Sequence, residues 1–243
     1  MNLSVTAGHT ELAYQGDELD AFAEAENWKR YWSGKLRPLI GDAVIEVGAG
    51  LGGSTRYLCE GAHSSWLCLD PDPRHAARLN ELVASGELPA CCASACGVLA
   101  DLPPERRADT ILYIDVLEHI EHDKDELQLA AAHLKPGGRI IVLSPAFNLV
   151  YSDFDRAIGH FRRYVKTDAP GLTPDGLALE KSFYLDCVGF AAALVNRLLL
   201  KTSSPSKGQV RFWDRAIVPV SMIADRLFGS VFGKTIVMVW KKP

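Results

Sequence analysis

Apolar and polar positions change period several times along the chain, and each change marks an element. Over residues 17–36, Leu19, Phe22 and Ala23 are followed by Trp28, Tyr31 and Trp32 at a spacing that gathers large side chains on one side of a helix. Residues 42–47 form a short β-rich run that ends in glycines. A helix can start over 54–60, with Ser54 or Thr55 near its cap. Residues 66–69 read as a second strand, and 73–83 as a helix with Pro73 suited to its first turn. A weak strand over 91–96 and a better one over 110–114 follow. The spacing then predicts a helix over 123–134, a break at Lys135-Pro136-Gly137-Gly138 and a strand over 139–143. This alternation across 42–145 implies βαβ units, hence a parallel sheet with helices on both faces.

The remainder is less regular. Residues 146–174 look like an insertion with few strand signals. A strand is expected over 177–185, helices over 187–201 and 215–228, and a last strand over 234–240 after the turn Phe232-Gly233. A sheet that ends helix–turn–strand can place its last strand antiparallel. There is no internal repeat and no low-complexity tract.

Composition narrows the class. The 243 residues are 48% hydrophobic and 23% charged, which fits one globular domain and excludes a disordered chain. A net charge of −4 argues against nucleic acid as a partner, because phosphate neutralisation needs clustered Lys and Arg. The N-terminus has no basic start and no long apolar core, so a secretory leader is not expected. The apolar stretch 187–200 is interrupted by Asn196 and Arg197 and falls short of the ~20 residues of a membrane span. Six cysteines give no disulfide framework, so a cytoplasmic location is the expectation. Cys91, Cys92 and Cys96 lack a second ligand pair at metal spacing and read as part of a buried strand; no metal is expected.

The densest chemistry is Val44-Ile-Glu-Val-Gly-Ala-Gly-Leu-Gly-Gly-Ser-Thr55, a strand running straight into Gly48, Ala49, Gly50 and Gly52 and then a helix. Glycines there permit tight turns and close approach to a ligand, and the helix start offers unpaired N–H groups. Gly48, Gly50 and Gly53 also satisfy the dinucleotide spacing, so the loop by itself suits NAD or an adenosyl cofactor. Asp70, followed by Pro71, lies 20 residues after Gly50 at the end of the second strand, where a carboxylate can accept both ribose hydroxyls. Glu46 favours the adenosyl reading: a carboxylate gains energy near an ammonium and a sulfonium but loses it near a pyrophosphate.

At these residues the chain resembles the class I S-adenosylmethionine-dependent methyltransferases, whose first motif reads like Glu46-Val47-Gly48-x-Gly50-x-Gly52. Ile114-Asp115-Val116-Leu117-Glu118-His119-Ile120 resembles the family segment after strand four, and Leu134-Lys135-Pro136-Gly137-Gly138 its turn into strand five. The resemblance implies a doubly wound α/β fold: a seven-stranded, mostly parallel sheet of order 3-2-1-4-5-7-6, the last strand antiparallel, with helices on both faces. It implies S-adenosylmethionine as cofactor, with S-adenosylhomocysteine as product. Glu46, Gly48 and Gly50 would line the methionine end, Asp70 the ribose, and Asp115, Val116 and Leu117 the sulfur region. Around the third strand the match is poorer; a backbone amide near Leu99 is the candidate for the adenine, with Asp101 the weaker one.

From Asp155 on, Asp155-x-x-x-Gly159-His160-x-Arg162-Arg163-Tyr164 resembles an element of a subgroup of these enzymes. It lies where open α/β sheets put ligands. His160 suits the role of base near neutral pH, with His119 as a second candidate. Arg163 or Arg162 can hold a carboxylate or phosphate, Asp155 can orient His160 or a substrate hydroxyl, and Tyr164 stands beside them. Equally, Asp155, His160, Arg163 and Tyr164 can simply tie the insertion to the core. Trp28 and Tyr31 can cap the ligand site and touch the substrate, with core packing as the rival. The acidic run 118–126 reads as a solvated helix start. The apolar stretches 190–200 and 217–231 can form a substrate lid, a helix pair, or a surface for peripheral membrane contact.

The expectation is therefore a single domain: a helical cap over 1–40, a cofactor core over 42–145, an acceptor pocket over 146–230 and a final strand over 231–243. The expected activity is methyl transfer to a small-molecule acceptor, with the oligomeric state open. The alternatives are a non-methyl transfer on the same fold, a non-catalytic cofactor-binding module, and an NAD(P) oxidoreductase.

Overall fold

A computed structural model of the chain describes residues 24–197, 206–227 and 231–243. The start of the helix predicted over 17–36, and residues 198–201 and Phe228 at the ends of two later predicted helices, lie outside the described residues.

The sheet has seven strands: β1 (Ala43–Val47), β2 (Ser65–Asp70), β3 (Cys92–Cys96), β4 (Ala108–Ile114), β5 (Leu134–Pro145), β6 (Ala178–Leu185) and β7 (Thr235–Lys241). Their order is β3-β2-β1-β4-β5-β7-β6, with β7 antiparallel to both of its neighbours, as expected. Central strands are buried on both faces, which is why they read as unbroken apolar runs rather than alternations. Val44, Leu112, Ile141 and Leu143 face one apolar core; Ile45, Ile111, Tyr113, Ile140 and Val142 face the other.

The first core is covered by α1 (Glu26–Leu36), α2 (Thr55–Leu58) and α3 (Pro73–Ala84) through Trp28, Tyr31, Leu36, Leu58, Leu79 and Leu82. The second is covered by α4 (Asp123–Ala132) through Leu127, Ala130 and Ala131. Beyond β5 come α5 (Asp153–Ala157), α6 (Cys187–Val195), α7 (Lys207–Phe212) and α8 (Val218–Leu227), with a π-helical segment, Trp213–Ile217, joining the last two.

Three buried aspartates hold this upper layer together. Asp214 accepts from the backbone N–H groups of Asn27 and Trp28. Asp225 accepts from the Tyr31 hydroxyl and from the backbone of Asp186 and Cys187. Asp186 accepts from Ser221, Trp213 and the Gly189 backbone.

Several boundaries differ from expectation. The break expected at residues 135–138 falls inside β5, because the Gly137 N–H reaches the carbonyls of Lys242 and Pro243 and the strand resumes after an irregularity opposite Ala108 and Thr110. The last long helix starts well before residue 215; Ser206 caps α7 through the Gln209 N–H. The acidic run is not simply solvated. Asp123 is buried and accepts from Tyr164, and Glu126 accepts from the Tyr113 hydroxyl. Among the described residues no helix is long and apolar enough to cross a membrane.

Candidate active site

A broad cleft of about 2060 Å3 opens at the carboxyl ends of β1, β2, β4 and β5. That exceeds the roughly 300–1,000 Å3 of a typical single-ligand pocket, so two molecules fit side by side. One half is built by the glycine loop. Gly48 has φ +66, and a Cβ there would lie 2.6 Å from Val116, so only glycine permits this close packing of the β1 and β4 loops. Gly50 has φ +55 and nothing within 4 Å of where its Cβ would sit. The loop is thus a cradle whose open side no side chain among the described residues fills.

Asp70 ends β2 at the rim of this cradle. Its Oδ2 accepts from the Gly50 N–H at 2.8 Å, and its Oδ1 accepts from the Asp72 N–H and faces His75 Nδ1 at 3.0 Å. The carboxylate is fixed by protein groups and still lines the cleft, which suits an acceptor for a ligand diol. Ala49, Leu51, Pro71, Gly97 and Val98 line the same half.

Other candidates from the sequence lie behind it. Glu46 is buried under the loop: its Oε2 accepts from Thr55 Oγ1 and Trp66 Nε1, both at 2.8 Å, while Oε1 has no partner among the described residues. Burial pushes its carboxyl up to about 7 against the pull of these two bonds. Gly52 packs against Leu79, and the side chains of Leu99 and Leu117 are in the core. Asp101 closes the turn after β3 by accepting from the Val98 N–H.

The other half gathers the titratable groups. Asp115 ends β4 with φ +53, a conformation that costs a non-glycine residue energy and aims its carboxylate into the cleft. Although Asp115 is exposed to the cleft, the surrounding protein desolvates its carboxyl and pushes it up to about 6, with His160 and Lys234 pulling the other way. Glu118 is fully buried; its Oε2 accepts from Ser144 Oγ at 2.7 Å, and its Oε1 has no partner.

Asp155 is a hub. It accepts from His160 Nδ1 at 2.9 Å, from Arg163 Nε at 2.8 Å and Nη2 at 3.0 Å, and from the backbone and hydroxyl of Ser152. Burial opposes its charge, but the bonds from His160 and Arg163 outweigh burial and hold the carboxyl well below the usual range. An ionised Asp155 can only accept, so His160 donates its Nδ1–H to it, and a neutral ring in that tautomer presents Nε2 as an acceptor. The rings of His119 and His160 meet edge to face, 4.6 Å apart. Burial holds the His119 pKa down at about 4, and His160 adds to this.

The resembling segment therefore splits. Asp155, His160 and Arg163 line the cleft, with Arg163 already committed to Asp155. Tyr164 does not line it: its hydroxyl is buried between the Leu117 carbonyl and Asp123 Oδ2. Arg162 pairs with Asp123. Of the α1 aromatics, Trp28 borders the cleft, whereas Tyr31 is tied to Asp225 beneath it. Two contributors carry no sequence signal. Lys234 enters from the turn before β7, half-buried and within electrostatic reach of Asp186 and Asp115, with its ammonium 4.7 Å from the Trp213 ring centre. His75 abuts Asp70 from α3.

Residues 45–140 match the family model described as a methyltransferase domain. The fold is that of the Rossmann-like methyltransferases. A solved S-adenosylmethionine-dependent methyltransferase from Clostridium acetobutylicum superposes with TM-score 0.57 at 15% identity, covering 93% of this chain and 95% of its own. A geranyl diphosphate methyltransferase in complex with SAM superposes with TM-score 0.62 at 13% identity, covering 96% and 93%. At such identities these likenesses show the fold. The demethylmenaquinone methyltransferases of two Tropheryma whipplei strains are 28% identical over 131 residues, 50% of this chain. The chain spans about half the length of these curated relatives, 49%.

Proposed function

We propose that this chain binds S-adenosylmethionine in the glycine-loop half of the cleft and transfers its methyl group to a small molecule held in the other half. The observation that carries this reading is the convergence of three strand ends on one opening: the empty-sided turn at Gly50, the fixed carboxylate of Asp70, and Asp115 with its strained backbone. The loop and Asp70 would hold the amino-acid and ribose parts of the cofactor, with Asp115 and Val116 beside its sulfur. The bound cofactor supplies an electrophilic methyl on a sulfonium.

Glu46 supports the loop from below. A cationic ligand above it would favour the ionised form of this carboxyl, which burial disfavours in the ligand-free protein. The adjoining half, walled by α5, α6 and α7, is the acceptor pocket. The protein's contribution is positional: two partners in one water-excluding cleft with the nucleophile about 3 Å from the methyl. His160 Nε2, aimed by Asp155, is the group placed to take a proton from an acceptor hydroxyl or amine.

The test is transfer of labelled methyl from S-adenosylmethionine to a panel of phenols, catechols, amines and carboxylic acids, with the cofactor product measured in parallel. Label should appear in one chemical class and fall at least tenfold in His160→Ala. Cofactor binding without transfer to any class would favour the non-catalytic binding module instead.

A further inference from the structure

Outside the cofactor half, the cleft contains a buried polar atom with nothing to bond. Glu118 is 0% exposed and its Oε1 has no hydrogen-bond partner among the described residues. Leaving a buried carboxylate oxygen unsatisfied costs several kcal/mol unless something else compensates. The nearest candidate, His160 Nε2, is 3.9 Å away, too far for a hydrogen bond. His119 completes the group, and one donor atom from each of the three residues lies within 4.8 Å of the others.

We propose that Glu118, His119 and His160 form a binding site for one first-row divalent cation, with coordination positions left open toward the cleft. Two imidazoles and one carboxylate are the donor set of ions such as Zn2+, Co2+, Fe2+ or Mn2+. They do not form the all-oxygen shell preferred by Mg2+ or Ca2+. Two donors about 2.1 Å from one ion are at most about 4.2 Å apart, so the side chains need to close by about half an ångström on loading.

Each donor is already aimed by a second partner, the arrangement that metal-binding histidines and carboxylates use. Asp155 holds His160 by Nδ1, Ser144 holds Glu118 by Oε2, and the backbone of Ile158 and Gly159 bonds to His119.

Binding of the ion stands without the methyl-transfer reading; its role toward an acceptor rests on that reading. An acceptor hydroxyl or carboxylate oxygen fits the open positions. A hydroxyl coordinated there would release its proton to solvent more readily, so the loaded site would need no protein base and His160 would serve as a ligand instead of as the proton acceptor.

The cysteine trio Cys59, Cys91 and Cys92, with sulfurs 3.5 and 3.6 Å apart and outside the cleft, is the competing sink for such ions. The test is therefore titration of the full reduced chain with Co2+, read by absorption. Nitrogen and oxygen ligands give only weak visible bands; thiolates add an intense near-ultraviolet one. Expected is one Co2+ per chain without the thiolate band, retained in Cys91→Ser/Cys92→Ser. It should be weakened at least tenfold in Glu118→Gln and in His119→Ala. Thermal melts and calorimetry with S-adenosylhomocysteine establish that these variants are folded with an intact cofactor half. Unchanged Co2+ affinity in both variants, uptake only through the cysteines, or no uptake by the folded wild type would overturn the site. Co2+ binding without any binding of S-adenosylhomocysteine would support the ion site and remove the methyl-transfer reading alone.

Discussion

Replacing Glu46 by Gln should stabilise the ligand-free protein by an amount that grows with pH. The Glu46 carboxyl is fully buried, accepts two hydrogen bonds on Oε2 and none on Oε1, and is pushed by burial from 4.5 up to about 7. Below about pH 4.5 the acid is protonated in both the folded and unfolded chain, and there is no penalty. As pH rises from 4.5 to 7 the unfolded chain releases a proton that the folded chain retains, so stability falls. Above 7 the loss is complete and flat.

At about 1.4 kcal/mol per pKa unit the full loss is about 3 kcal/mol. Gln keeps an oxygen for Thr55 and Trp66 and does not titrate. Urea unfolding of both proteins at pH 4.5, 6 and 8 isolates this group, because titrations common to both cancel in the difference. The difference should move by about 3 kcal/mol in favour of the variant between the lowest and highest pH. A pH-independent difference, or one that moves toward the wild type, would falsify the view that burial governs this carboxyl.

Arg163→Met should leave Asp155 buried with a lost ion pair and cost about 3–5 kcal/mol, read as a lower urea midpoint with unchanged slope. Tyr164→Phe should cost about 1 kcal/mol through the lost hydrogen bond to Asp123, whose Oδ2 keeps Arg162, and leave the rate of methyl transfer within about twofold; a large loss of rate in a stable protein would make the hydroxyl catalytic. Gly50→Ala should fold, at a cost of about 1–2 kcal/mol for a side chain at φ +55, and lose S-adenosylhomocysteine affinity at least tenfold in calorimetry, because its methyl points into the cradle.

What was legible in the sequence was local chemistry. The β1 turn announces itself because Gly48 and Gly50 are the residues its positive φ angles require, and Asp70 because it ends an apolar run beside Pro71. The parallel sheet follows from strands too apolar to face water. Asp155 and His160 could be named but not separated from Tyr164, since only long-range packing decides that Tyr164 turns toward Asp123 while His160 turns toward the cleft.

Glu46 was legible as an unusual acid but not as a buried one; its neighbours Thr55 and Trp66 are 9 and 20 residues away. The start of α7 does carry a pattern, the capping box Ser206-x-x-Gln209, which the expectation of a helix beginning only at residue 215 passed over. Lys234 carries none; its place is set by contacts remote in sequence, among them Trp213. Likewise the acidic stretch 118–126 has the composition of a solvated helix start, and nothing in its spacing shows that Glu118 and Asp123 are drawn into the interior by Ser144 and Tyr164.

The most direct measurement is calorimetric titration of the folded chain with S-adenosylhomocysteine, with NAD+ as control and Asp70→Asn as the site variant. Expected are one site with Kd on the order of micromolar, no heat from NAD+, and an affinity about 10- to 100-fold weaker in the variant, the value of one or two hydrogen bonds to a charged acceptor. Absence of binding by folded wild-type protein, or preference for NAD+, would contradict an adenosyl-cofactor site in the glycine loop.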